Sequence, residues 1–172
     1  MIKSNIVEIY NINKESKKID YNNERNRIYF SRRKELKNLI TSINTYINYS
    51  SYSIFSALYF MDSIFTNSNL EKVFYTHFNN KSNIIVLKDI QMNNYALLSV
   101  ACLILSYKFI ENDLRIPSIS SFTKLIYFFS KKIFNFSAND LNIAEVIVIK
   151  LLKYKLNYYT IYHFLIFFSH ME

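Results

Sequence analysis

A chain of 172 residues with 51% hydrophobic content and a net charge of +8 holds enough apolar material for one core and reads as a single domain. Glycine is absent altogether, which excludes the Walker loop, the GxGxxG dinucleotide turn and the glycine-rich kinase loop, because each needs bare backbone close to phosphate. One proline and one cysteine argue against a turn-dense β-fold and exclude an internal disulfide framework and a cysteine-built metal site. The expectation is an all-α fold in a reducing compartment, nuclear or cytoplasmic, with no leader peptide.

Residues 1–30 form a basic, polar segment with weak periodicity and at most a short helix around Ile2 to Ile12. Ten cationic residues stand against five acidic ones across residues 1–37, an arm able to meet nucleic acid or an acidic surface, or simply a solvated lead-in. The abundant Asn, Lys, Ile, Tyr and Phe follow the codon usage of an AT-rich genome and carry no functional weight.

The domain proper spans 31–172, with order beginning near Ser31. Leu36, Leu39, Ile40, Ile43 and Ile47 recur at helical spacing and predict a first helix ending near Asn48. Ser50 and Ser51 offer caps for a second, striped by Ile54, Ala57, Leu58, Met61, Ile64 and Phe65. Asp62 falls inside that stripe and needs a partner, for which Arg33 is the candidate. Residues 66–90 read as a loop insertion with one possible turn of helix around Val73 to Phe78.

The third helix is the hub. From Tyr95 to Leu105 nearly every position is apolar or small, so this helix must be wrapped on all sides. Lys108 ends the run short of the ~20 apolar residues of a membrane crossing. Phe122, Leu125, Ile126, Phe129 and Ile133 mark a fourth helix after the turn at Pro117. Ser137 with Asp140 predicts a capping box opening a fifth, striped by Leu141, Ala144, Val148, Leu151 and Leu152 and running to about Tyr154. Asn157 closes it, and Thr160 caps a last apolar helix through Phe168. His77, His163 and His170 lack ligand spacing, so neither a metal nor a cofactor is expected.

Three stretches, FSALYFMDSIF, ALLSVACLILSYKFIE and IAEVIVIKLLKYKLNYYTIYHFLIFF, taken in order resemble the cyclin box from about Arg33 to Phe168. The resemblance implies five helices around a buried central third one, with additional N-terminal and C-terminal helical segments. It also implies a non-enzymatic regulatory subunit that binds and activates a cyclin-dependent protein kinase in cell-cycle or transcription-linked phosphorylation. Lys108 and Glu145 match the family's kinase-binding lysine and glutamate, and Phe109 their apolar neighbour, with Ile110, Ile149 and Leu152 as lesser candidates. Arg33 and Asp62 match its buried structural ion pair. No small-molecule substrate and no membrane partner are expected, and nucleic acid is not the expected partner. A cyclin-fold transcription factor or nucleic-acid adaptor is the alternative that the basic charge keeps open. A single box is expected, without the second repeat that many members carry, and where many cell-cycle cyclins carry an apolar recruitment patch this sequence has Arg32, Arg33, Lys34, Glu35 and Leu36.

Overall fold

The computed structural model describes residues 23–78, 92–111 and 116–156, all helix and connecting turns, with no strand among the described residues. The elements are α1 (Glu24–Ile47), α2 (Ser51–Phe65), α3 (Leu70–Phe78), α4 (Met92–Ile110), α5 (Ile119–Phe129) and α6 (Ala138–Leu151). The short N-terminal helix, the basic arm before Asn23, the Asn157 closure and the helix through Phe168 lie outside the described residues.

α4 is the hub helix, and it is buried continuously from Tyr95 to Tyr107. It packs chiefly on α2 and α6 and also on α1, while α5 bridges α1 and α6. By length and composition alone Met92–Ile110 is apolar enough to cross a membrane, which corrects the shortfall inferred from sequence; 72% of its apolar window is nevertheless inside the fold. Ala96, Ala101 and Cys102 are fully buried. Burial pushes the Cys102 thiol well up from its ordinary range, so it sits in the core as a small apolar side chain.

Helix boundaries follow local chemistry. α1 starts seven residues before Ser31, because the Asn23 side chain accepts from the Arg25 amide at 3.0 Å and Glu24 meets the positive end of the helix dipole. The gain is the burial of Tyr29. The helix closes on Asn48, left-handed at φ 62, whose amide returns to the Asn44 carbonyl at 2.8 Å. At α6 the capping box is complete: Asp140 N donates to Ser137 Oγ at 3.1 Å and Ser137 N to Asp140 Oδ2 at 2.9 Å.

Three further expectations are corrected. The single turn of helix inside the supposed loop 66–90 is a nine-residue helix, α3, whose Leu70, Phe74 and Phe78 are buried at four-residue spacing. It packs on α6, and Asn67 just before it donates to the Leu151 carbonyl at 3.2 Å. The remainder, 79–90, lies outside the described residues. α5 stops at Phe129, so Ile133 is no part of its stripe and is 69% exposed. α6 ends at Leu151 rather than Tyr154. Both endings are sharp left-handed turns, Lys131 and Lys132 at φ 53 and 69 and Lys153 and Tyr154 at φ 53 and 60. Such positions ordinarily take glycine or asparagine; with no glycine in the chain, lysine and tyrosine occupy them.

Candidate functional site

Lys108 sits in the last turn of α4, where a cation complements the negative helix end, and Glu145 lies midway along α6. Packing of α4 on α6 brings these residues together across 37 positions of sequence. Lys108 Nζ donates to both Glu145 oxygens, at 2.7 Å and 2.8 Å. The ammonium is 43% exposed and the carboxylate side chain only 10%, so the pair is a surface cation closing over a nearly buried anion. An ammonium carries three N–H groups and each carboxylate oxygen two lone pairs. One N–H and one lone pair on each oxygen are therefore not used within the pair.

Phe109, adjacent in sequence, is 53% exposed, and Val146, next to Glu145, is 44% exposed. Of the lesser candidates, Leu152 is core at 4% exposure, while Ile110 and Ile149 are half-buried. Each member of the pair is thus followed in sequence by an exposed apolar residue, Phe109 after Lys108 and Val146 after Glu145.

Arg33 and Asp62 form a two-pronged pair, Nε to Oδ1 and Nη2 to Oδ2, both at 2.8 Å. The Tyr29 hydroxyl also donates to Oδ1, a third member that sequence reasoning missed. The inferred burial is corrected: the side chains are 36% and 34% exposed. Water can reach the Arg33 guanidinium but not the fully buried Tyr29, so Asp62→Ala is expected to cost about 2 kcal/mol rather than the ~3–5 of a sealed pair. Urea denaturation measures it, and a loss above about 3 kcal/mol would show the pair to be sealed.

Glu111 is a second residue that sequence reasoning did not reach. Its Oε1 accepts from Ser50 N at 3.2 Å, from Ser50 Oγ, and from Ser53 Oγ at 2.6 Å. Ser50 occupies the N-cap of α2 but makes no side-chain cap bond, since Glu111 takes its hydroxyl. A carboxylate from the end of the hub helix thereby caps the next helix in space. Beside it, Tyr107 Oη donates to Asn44 Oδ1 at 2.8 Å and Asn44 Nδ2 donates to the Tyr49 carbonyl at 3.0 Å. This network sets the end of α4, and with it the position of Lys108.

His77 serves packing: Nδ1 donates to the Val73 carbonyl at 2.9 Å, leaving Nε2 to accept from Lys150 Nζ at 2.7 Å. His163 and His170 lie outside the described residues. No group of residues able to hold a metal occurs among the described residues. No family model, curated protein or solved structure matches the chain.

Proposed function

We propose that this chain is a cyclin-like, non-catalytic regulatory subunit that binds and activates a cyclin-dependent protein kinase, acting in the nucleus or cytoplasm. The observation that carries the proposal is the Lys108–Glu145 pair, held at 2.7 Å across α4 and α6, with the exposed Phe109 next to Lys108 in sequence. A helix end offers unpaired N–H or carbonyl groups. The spare ammonium hydrogen suits the carbonyls and the spare carboxylate lone pairs suit the amides, while Phe109 supplies apolar anchorage. Docking a regulatory helix of the kinase there favours the arrangement in which its lysine and glutamate together hold ATP phosphates. Association free energy then shifts an inactive population to an active one.

The test is affinity purification of the tagged chain with mass spectrometry and a kinase assay on what is recovered. Lys108→Glu combined with Glu145→Lys retains both charges but exchanges their positions and inverts the docking chemistry, and thermal melting of the variant checks that it is folded. Wild type is expected to recover and stimulate a kinase and the exchanged variant to lose it. Equal recovery of the same kinase by both proteins removes Lys108 and Glu145 from the interface. Recovery of transcription components or nucleic acid in its place supports the adaptor reading.

A further inference from the structure

The turn between α5 and α6 combines features that the kinase reading does not use. Phe128 is 71% exposed and Ile133 69%, with Tyr127 at 41% beside them. Tyr46, at the end of α1 and 68% exposed, joins the group through an edge contact with Phe129, centroids 5.8 Å apart, and Phe128 rests edge-on against Phe129 at 5.2 Å. Lys131 and Lys132 occupy the turn itself and are exposed, as is Lys124 on α5. From Ser118 to Asn139 the chain holds these three lysines and not one acidic residue.

The turn is rigidly built. Lys131 N donates to the Phe128 carbonyl at 3.1 Å, Lys132 N to the Tyr127 carbonyl at 2.8 Å and Ile133 N to the Ser130 carbonyl at 3.1 Å. Ser130 Oγ accepts from Phe134 N at 3.0 Å, and Phe134 then enters the core. The exposed side chains are thus presented by a fixed frame.

We propose that this turn is a docking surface for an anionic lipid membrane. The lysines match negative headgroups, and the tyrosines are amphipathic rings of the kind that settle at headgroup level. Phe128 and Ile133 offer no hydrogen-bonding group and gain by entering the apolar boundary beneath. The isoleucine decides between polyanions: single-stranded nucleic acid rewards flat rings and cations, and Ile133 gains nothing from stacking. The surface shares no residue with the Lys108–Glu145 pair, so it stands whether or not the chain binds a kinase.

The test is co-sedimentation of the full chain with vesicles of phosphatidylcholine alone and with added phosphatidylserine. Binding is expected only to the second and weakens as salt rises. Lys131→Asn with Lys132→Asn, a replacement suited to left-handed backbone, is expected to weaken it about 30-fold, from roughly fivefold per lysine near an anionic surface. Phe128→Ser with Ile133→Ser is expected to reduce binding even at low salt. All four positions are exposed, so unchanged thermal melting shows the variants folded. No sedimentation with anionic vesicles, or sedimentation unchanged in both folded variants, overturns the proposal. So does a loss of affinity for polyglutamate or for a single-stranded oligonucleotide while vesicle binding stays intact.

Discussion

Replacing Leu103 with alanine is expected to lower the unfolding free energy by about 3 kcal/mol, within the ~2–5 of large-to-small core changes. Leu103 is fully buried in mid-helix, and α4 is pressed by α1, α2 and α6. A void opened there faces helices already fixed by their other contacts and cannot close by a shift of one neighbour. Alanine is the better helix former, so the loss belongs to packing and not to propensity. Urea denaturation with an unchanged slope is the measurement. The control is Ile133→Ala, expected within about 0.5 kcal/mol because the side chain is exposed. A Leu103→Ala loss below about 1 kcal/mol would mean that the hub is not close-packed.

Alkaline pH should unfold the protein steeply, and two tyrosines should account for much of the slope. Tyr29 and Tyr107 are both fully buried. Burial, chiefly, pushes each phenol well above its ordinary value, reinforced by the Asp62 charge at Tyr29 and by Glu111 at Tyr107. In the unfolded chain both ionise near ~10. Their folded values are raised, so their contribution to stability is complete below that pH and is lost as pH climbs toward them. Over that window the unfolded state has released two protons that the folded state retains, a loss of about 1.4 kcal/mol per pH unit for each group. Cys102, also pushed up by burial, adds to it from a slightly lower pH. Stability measured from neutral to strongly alkaline pH should show this limb, and Tyr29→Phe with Tyr107→Phe should flatten it while lowering stability at neutral pH, where hydrogen bonds to Asp62 and Asn44 are lost. An unaltered alkaline limb in the double variant would assign the slope to other groups.

What was legible in the sequence divides along physical lines. An all-round apolar run can only be a wrapped helix, so α4 was readable from residue type alone. The Asn48 closure and the Ser137 and Asp140 box were readable because caps are local chemistry. Asp62 pointed to Arg33 because a carboxylate in an apolar stripe demands a partner. α3 was hidden because nine residues between Asn-Ser and Asn-Asn clusters give too short a period to outweigh the loop signals. Glu111 was hidden for a different reason: its partners, Ser50 and Ser53, lie some sixty residues away in sequence, and Ser50 reads as an ordinary capping serine. Phe109 could equally have been core or surface, since helical spacing does not show where a helix leaves its neighbours. Its exposure follows from the packing of α4 against the other helices.

The hub helix lies in mid-chain, yet its cover comes from both directions, α1 and α2 made before it and α6 after it. During synthesis there is consequently an interval in which Met92–Ile110 has left the ribosome and Ala138–Leu151 has not. In that interval one flank of a helix with the length and composition of a membrane span stands open to water. The N-terminal half cannot complete a core alone, so folding is deferred until α6 emerges. Chaperones that hold apolar nascent segments then have a defined stretch and a defined time in which to act.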